Sequence, residues 1–416
     1  MSTTHAVSTR TKVAVQAGAL AGRLSRLSGR GAGATISGRV INRISPHALA
    51  ELGAGLRVAL VSATNGKTTT TKLLAAAVRT GSEPVASNHT GANLTSGIAP
   101  VLAAAEKPGL AVLEVDERVV ARVVDPLDVE LLVLGNLSRD QLDRYGEVHA
   151  VGAAWRKVAD AHPDLHVVAN ASDPHVVHAA EPARTTWVRL GLQWRSDAAT
   201  CPVCAGLLDW STQRFRCPRC GFAEPETPNR LDGDTLVLGE ARLALALALP
   251  GQWNRYNAAL AITAAVDHYG IDPQVAADAV AQVDTVAGRY MTVPLADGRR
   301  ARVFLAKNPA GWSEVLHWVH DTGGSVVIAV NARVADGKDP SWLWDVPYEL
   351  LRGLPAAASG DRCLDVAVRL RYAEVEHVVE PDPRRAATML PGDEPVLLCT
   401  YTQFSALYKR FGDPDA

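Results

Sequence analysis

Net charge is almost absent from this 416-residue chain: 42 lysines and arginines stand against 44 aspartates and glutamates, a formal balance of −2. The two signs are interspersed, so no basic field exists to hold a nucleic acid backbone, and no nucleic-acid partner is expected. Long apolar runs are missing as well. The stretch Val13 to Ala21 stops short of a membrane span, is broken by Arg23 and Arg26, and lacks a convincing cleavage site, so a cytoplasmic chain is expected. Internal repeats are absent. Cysteine is scarce, and two of the six, Cys363 and Cys399, sit isolated in apolar surroundings as expected buried bystanders. What remains is ordinary for a folded protein: 47% hydrophobic and 21% charged residues, over a length that accommodates two or three domains.

The most informative stretch is Val61-Ser62-Ala63-Thr64-Asn65-Gly66-Lys67-Thr68-Thr69-Thr70. Leu56 to Val61 reads as a buried strand and Thr71 to Ala77 as a helix, so the loop lies between them. A helix N-terminus offers unpaired amides and a favourable dipole to a polyphosphate; Lys67 can reach terminal phosphates and the Thr68 hydroxyl can ligate magnesium. The alternative is an ordinary strand-to-helix turn, disfavoured because Gly-Lys-Thr stands where the mechanism requires it.

Cys201-Pro202-Val203-Cys204 and Cys217-Pro218-Arg219-Cys220 form two CxxC pairs separated by residues 205 to 216. Two such knuckles present four thiolates, which suits zinc in a closed structural site. Two disulfides or redox dithiols compete with that reading, but the doubled spacing in a reducing compartment favours the metal. Gly206 and Gly221 are expected to ease the two turns. Leu207 to Trp210 and Arg214 to Arg216 are expected to form the ribbon hairpin.

Downstream of the loop, Leu110 to Leu113 reads as a parallel strand ending in Glu114-Val115-Asp116-Glu117, which sets carboxylates at the ligand-binding edge of an open α/β sheet. Glu114 is the magnesium-ligand candidate, against the alternative of a solvated acidic strand end. A further strand, Val129 to Leu134, runs into Gly135-Asn136-Leu137-Ser138-Arg139-Asp140-Gln141-Leu142-Asp143-Arg144-Tyr145-Gly146.

These segments resemble the Mur ligase superfamily, whose members join an amine to a carboxylate through an acyl phosphate made from ATP. The resemblance rests on the core Thr64-Asn65-Gly66-Lys67-Thr68 and continues in order through Asn136 and the Asp140 segment, the Asn170-Ala171-Ser172-Asp173-Pro174 turn, Gly251-Gln252-Trp253-Asn254-Arg255-Tyr256-Asn257, and Gly288-Arg289. It implies a nucleotide site of Thr64, Asn65, Gly66, Lys67, Thr68, Thr69, Glu114, Asn254 and Arg289, with ATP and magnesium as cofactors. Ala63 departs from the usual glycine, though its small side chain still permits close backbone approach. Gln141 stands where a histidine usually binds a second magnesium, which leaves that metal open. Lys157 is the nearest counterpart of a lysine that several members carbamylate.

Within the superfamily, the inserted ribbon, Lys307-Asn308-Pro309, the stretch Ala335 to Val346 and the ending Ser359 to Ala373 resemble the MurT family. These are synthetase subunits of the lipid II isoglutaminyl synthase of Gram-positive bacteria. The resemblance implies ATP-dependent amidation of a D-glutamate carboxylate in the lipid II stem peptide. It also implies a heterodimer with a GatD-type class I glutamine amidotransferase and work at the cytoplasmic face of the membrane. The residues themselves leave the ammonia to come from another chain or from solution: its release from glutamine takes a nucleophilic cysteine, and neither Cys363 nor Cys399 lies on a glycine-flanked sharp turn. In the family an aspartate of the C-terminal domain completes the glutaminase site; Asp339 and Asp345 are the catalytic candidates, and Asp339 is favoured by its place soon after the Val326 to Val330 strand. A ligase that adds an amino acid is the alternative, disfavoured by the missing Asp-x-x-His-x-Pro motif and by Gln141.

The expected fold is α/β. Residues 1–52 form a short N-terminal segment. Residues 53–290 form a Mur ligase central ATP-binding domain with the zinc ribbon inserted at about 196–226. A smaller, Rossmann-like α/β domain spans 291–416, with strands near 301–305, 325–330, 376–379 and 396–400.

Overall fold

The computed structural model describes residues 7–27, 33–88, 92–140, 148–192, 194–284 and 289–412. Gln141 with its neighbours through Gly146, Gly288, and the glycine-rich stretch from Ser28 to Ala32 lie outside the described residues. The chain divides into two compact units. One comprises Met1–Leu137, Val148–Ala248 and Asn254–Asp284; the other comprises Ser138–Glu147, Leu249–Trp253 and Thr285–Ala416.

The first unit is built on six parallel strands: β1 (Leu56–Ser62), β2 (Val85–Ser87), β3 (Gly109–Glu114), β4 (Leu131–Leu134), β5 (His166–Asn170) and β6 (Arg184–Val188). Their order is β2-β3-β1-β4-β5-β6. Every residue of β3, β4 and β5 is buried, as expected of parallel strands covered on both faces, which read as continuous apolar runs. The covering helices are α1 (Thr9–Leu27), α2 (Ala34–Ile44), α3 (Ala48–Gly53), α4 (Lys67–Val78), α5 (Thr95–Ala104), α6 (Val120–Leu127), α7 (Val148–Ala161), α8 (Pro174–Ala180), α9 (Gln252–Asp267) and α10 (Pro273–Ala281). Leu60, Leu113, Leu132 and Val167 from the sheet, with Ile98 and Trp155 from helices, share one core.

Register decides where a site can form. Val61 pairs with Glu114 on β3, and Ser62 pairs with Leu134 on β4, so three adjacent strands end side by side. That carboxyl edge is where open α/β sheets hold ligands. The ribbon follows β6 as a set of antiparallel bridges, Thr200 with Leu207, Asp209 with Arg216, and Arg216 with Ala223. A small antiparallel meander comes next, β7 (Arg230–Asp232), β8 (Thr235–Leu238) and β9 (Ala241–Ala244).

The second unit holds β10 (Tyr290–Pro294), β11 (Arg300–Leu305), β12 (Val326–Ala329), β13 (Ala356–Ser359), β14 (His377–Val379) and β15 (Val396–Cys399), ordered β10-β11-β15-β12-β13-β14. Only the β10–β11 pair is antiparallel. Helices α11 (Pro309–Thr322), α12 (Cys363–Tyr372), α13 (Pro383–Thr388) and α14 (Tyr401–Phe411) pack around it. Strands β10 and β13 are additions to the sequence reading. Ala356-Ala357-Ala358-Ser359 has little β-propensity, and full burial between β12 and β14 makes it a strand regardless.

Candidate active site and metal centre

The loop after β1 turns into α4 at Gly66, whose φ is 88°. A side chain there would place its Cβ 2.2 Å from Asn257 Oδ1, so both conformation and space demand glycine. Asn136, just past β4, holds the other side of the turn. Its carbonyl accepts the Thr64 amide at 2.8 Å, its Oδ1 accepts the Asn65 amide at 3.0 Å, and its Nδ2 donates to the Asn65 carbonyl at 2.9 Å. Ser62 Oγ donates to the Val115 carbonyl at 2.9 Å, tying the end of β1 to the exit of β3. Lys67 is buried, with Nζ donating to the Thr64 carbonyl at 3.2 Å and to Glu117 Oε2 at 2.9 Å. The ammonium thus sits in the loop and balances a carboxylate that is itself only 11% exposed.

Two oxygens at this edge are conspicuous. Thr68 Oγ1 and Glu114 Oε2 are both buried and have no hydrogen-bond partner among the described residues. Leaving a buried polar atom unmatched costs about 1–3 kcal/mol, so each calls for a ligand. A hydroxyl and a carboxylate are the hard oxygen donors that magnesium takes, and these residues fit that ion. The carboxylate is well aimed: Glu114 Oε1 accepts from Asn93 Nδ2 at 3.2 Å, while Asn88 accepts the Glu114 amide at 2.7 Å and donates to its carbonyl at 2.8 Å. From α9, Asn257 Oδ1 accepts the Thr70 hydroxyl at 3.2 Å, and its Nδ2 donates to Asn254 Oδ1 at 3.3 Å. Thr64, Asn65, Gly66, Lys67, Thr68, Thr69, Glu114 and Asn254 therefore belong to one unit; Arg289 lies in the other, just before β10.

Asn88, Asn93 and Glu117 escaped the sequence reading of the site. Glu117 was visible as one of a run of acids, but nothing in the run says which carboxylate meets Lys67. Asn88 carried a signal: an asparagine directly after a strand and 2% exposed must spend its amide on something specific.

In the ribbon, the four Sγ atoms of Cys201, Cys204, Cys217 and Cys220 lie within 4.8 Å of one another. Cys201 and Cys220 are 3.6 Å apart, and Cys204 and Cys217 are 3.5 Å apart. Both separations are far beyond a disulfide bond of about 2.05 Å and close to the ~3.8 Å edge of a tetrahedron with ~2.3 Å zinc–sulfur bonds. The set fits zinc and rules out the disulfide alternative. Burial raises the Cys217 thiol, but the Cys220 and Arg219 amides and two neighbouring thiols outweigh it and bring it down to about 7. One detail differs from expectation. The left-handed residue of the first knuckle is Ala205, with φ 58°, and not Gly206; the second uses Gly221, with φ 81°. Both residues donate their amides to the first cysteine of the knuckle, at 2.9 Å, so the turn geometry overrides the preference against a positive φ. The ribbon is anchored by buried Glu224, which pairs with Arg189 at 3.0 Å and Arg214 at 3.5 Å.

Comparison with known proteins bears on both units. Residues 61–265 match the Mur ligase middle domain model, and residues 305–404 match the MurT ligase C-terminal model. The MurT subunit of lipid II isoglutaminyl synthase from Streptococcus pneumoniae is 30% identical over 389 residues, covering 85% of this chain and 86% of its own. The chain belongs to the MurT family of Mur ligases. The corresponding subunit from Staphylococcus aureus strain N315 is 28% identical over 404 residues, covering 90% and 91%. Among solved structures, a pseudomurein peptide ligase type C from Methanothermus fervidus superposes with a TM-score of 0.64 at 17% identity, covering 85% of this chain and 78% of its own. A Mycobacterium tuberculosis folylpolyglutamate synthase complexed with ADP superposes with a TM-score of 0.58 at 13% identity, covering 88% and 92%. These two share the fold.

The stretch matched by the MurT C-terminal model contains both aspartate candidates. Asp339 is exposed; its Oδ1 accepts the Ser341 amide and its Oδ2 the Ser341 hydroxyl, each at 2.9 Å. Those bonds hold its carboxyl below the usual carboxylate range. Asp345 ends the same short turn and pairs with Arg139 at 3.3 Å. Between them Leu343 is buried and Trp342 packs on Trp312, which fixes the turn to the core. Asn308 caps α11 by accepting the Gly311 amide at 2.9 Å, and its Nδ2 donates to Asp140 at 3.1 Å. Cys399 is fully buried, which raises its thiol far above the ordinary value, and Cys363 is buried too.

Proposed function

We propose that this MurT-family ligase amidates the α-carboxylate of D-glutamate in the lipid II stem peptide, giving D-isoglutamine, with ammonia supplied by a GatD-type glutaminase partner. The observation that carries the reading is one chain holding two things. The first is a phosphate loop whose Thr68 hydroxyl, like the Glu114 carboxylate oxygen at the end of the adjacent β3, has no partner among the described residues. The second is a family-specific C-terminal unit that exposes an ionised Asp339.

In this reading the substrate carboxylate attacks the terminal phosphorus of ATP, ADP departs, and an acyl phosphate forms. Ammonia then attacks the acyl carbon, inorganic phosphate leaves, and the nitrogen loses a proton. Lys67 neutralises charge on the transferring phosphoryl group. Thr68 and Glu114 would hold magnesium, which when bound neutralises the phosphate oxygens. Asn65, held by Asn136, orients the loop amides; Thr64, Gly66 and Thr69 complete that cradle, and Asn254 and Arg289 contact the nucleotide. Asp339 orients a histidine of the glutaminase. The zinc ribbon stabilises and does not react, because four thiolates leave no open position. The proposed division of the chain is 1–52, 53–290 and 291–416, with the enzyme peripheral at the inner membrane face.

ATP turnover with lipid II and ammonium salt, with and without glutamine and the glutaminase, tests the proposal. Ammonium-dependent turnover yielding an amidated stem peptide is expected. Turnover that requires an amino acid in place of ammonia would make the chain an amino-acid-adding ligase.

A further inference from the structure

Helix α1 is turned inside out with respect to an ordinary surface helix. Its buried residues are small: Thr11, Ala14, Gly18, Gly22 and Ser25. Apart from Val15, which packs against the core, its large apolar residues face outward, with Val13 52%, Leu20 60%, Leu24 58% and Leu27 85% exposed. The cause lies in how α1 meets α2. A Cβ on Gly18 would come 2.7 Å from Ile41 Cγ1 and 2.8 Å from the Ser37 carbonyl, and one on Gly22 would come 3.2 Å from the Gly33 carbonyl. So close an approach admits only the glycine side of α1, and the leucines are left on the opposite face. At about 100° per residue, Val13, Leu20, Leu24 and Leu27 fall within roughly 60° of arc, a continuous stripe and not scattered exposure.

Charge accompanies the stripe. Arg10, Lys12, Arg23 and Arg26 are all exposed on α1. Residues 1–50 contain seven lysines and arginines and no aspartate or glutamate, in a chain whose net charge is −2. The interspersion of charges expected from the whole sequence thus fails over its first fifty residues. The carboxylate that meets this helix, Glu51, sits at its first turn, where it accepts the Ser8 amide at 2.8 Å; an apolar helix face bordered by cations has the chemistry of a segment that lies in the headgroup layer of a membrane. The helix is too polar to cross one; no described helix is long and apolar enough to do so.

We propose that α1 seats the protein on a bilayer containing anionic lipid, its leucines entering the boundary of the acyl chains and its cations meeting the headgroups. Charge complementarity selects this occupant over a second copy of the chain: a two-fold contact between α1 stripes would bring the same cations against one another. The proposal builds on the reading of a lipid-borne substrate, and gives a physical means for the enzyme to reach it.

Co-sedimentation of the full-length, zinc-loaded protein with vesicles, without substrate or nucleotide, tests this independently of amidation. The wild type should pellet with vesicles of phosphatidylglycerol and phosphatidylcholine, and weakly with phosphatidylcholine alone. Leu20→Gln combined with Leu24→Gln should lower binding at least tenfold without changing the melting temperature, since both side chains are exposed. Lys12→Gln combined with Arg23→Gln should lower it by about tenfold or more and remove most of its salt dependence. A wild type that stays in the supernatant, variants that pellet as well as it does, or a wild-type dimer that the leucine changes convert to monomer would each overturn the proposal.

Discussion

Asn136 and Asn65 exchange two hydrogen bonds: the Asn136 side chain accepts the Asn65 amide at 3.0 Å and donates to its carbonyl at 2.9 Å. The side chain of one strand end thereby sets the backbone of the phosphate loop on its neighbour. Asn136→Ala removes both bonds, each worth about 1 kcal/mol. The KM for ATP should rise about tenfold or more, with a smaller change in melting temperature. Steady-state kinetics with varied ATP checks this, and an unchanged KM would show that the loop holds its shape without the clamp.

Lys67 and Glu117 form a buried pair, 8% and 11% exposed at their side chains. Lys67→Ala should lower amidation by three orders of magnitude or more even when ammonia is added directly, because phosphoryl transfer loses its main cation. The variant also strands Glu117, and breaking a buried pair costs about 3–5 kcal/mol. Adding Glu117→Gln should therefore restore much of the lost stability and none of the activity. Calorimetry alongside the ammonium assay separates the two effects; activity surviving in either variant contradicts the ligase chemistry.

The loop was legible because its message is local. Gly66, Lys67 and Thr68 need only a strand before and a helix after, and both are written in short windows of sequence. The four cysteines were legible for the same reason. Asn88 and Glu117 were not, because their partners Glu114 and Lys67 are 26 and 50 residues away and meet only when β3 pairs with β2 and with β1. Strand β13 was missed because its alanines state no preference of their own. Ala205 was missed because nothing in the residue itself announces that knuckle geometry will force a positive φ. The outward leucines of α1 were invisible for a different reason: only the contact with α2 reveals which face is turned in.

His166 and His268 touch through their Nδ1 atoms at 2.8 Å, so one ring must donate and the other accept. His166 Nε2 also meets Asp267 Oδ2 and Thr186 Oγ1, each at 3.1 Å, while His268 Nε2 is 3.4 Å from Glu130, which pairs with Arg57. Burial, then the charges of Arg184 and His268, hold His166 below its ordinary value, against the pull of Asp267. A lowered folded value means that the unfolded chain binds the proton first. The contribution of His166 to stability is therefore present above about pH 6.5 and is lost as pH drops below it. His166→Gln should flatten that acid limb in melts taken from pH 7.5 to 5.5. A limb of unchanged slope would assign the acid loss to other groups.

Cys201 and Cys217 are buried ligand candidates in the ribbon's own small core, with Leu208 and Phe215. Binding a closed thiolate site couples metal to folding, so Cys201→Ser or Cys217→Ser should lower zinc content and melting temperature together. Chelation of the wild type should reproduce the loss. Elemental analysis that finds no zinc in the intact protein, or serine variants that melt like wild type, would remove the metal from the account of this ribbon.

Asp339 and Asp345 lie at opposite ends of one short turn, and their surroundings separate their roles. Asp339 spends its oxygens on Ser341 and stays exposed, whereas Asp345 is engaged by Arg139, a partly exposed pair worth at most about 1 kcal/mol. Asp339→Asn keeps an acceptor for the Ser341 amide, so the turn should hold, but a neutral amide cannot stabilise an imidazolium on the partner. Glutamine-dependent amidation should be lost while the reaction driven by added ammonia is spared, since the phosphate loop lies in the other unit of the chain. Asp345→Asn should leave both reactions near wild type. Both routes are measured on the same preparation of the complex, together with glutamine hydrolysis alone. If hydrolysis survives in Asp339→Asn and disappears in Asp345→Asn, the two aspartates exchange roles; if neither change affects it, this turn contributes nothing to the glutaminase.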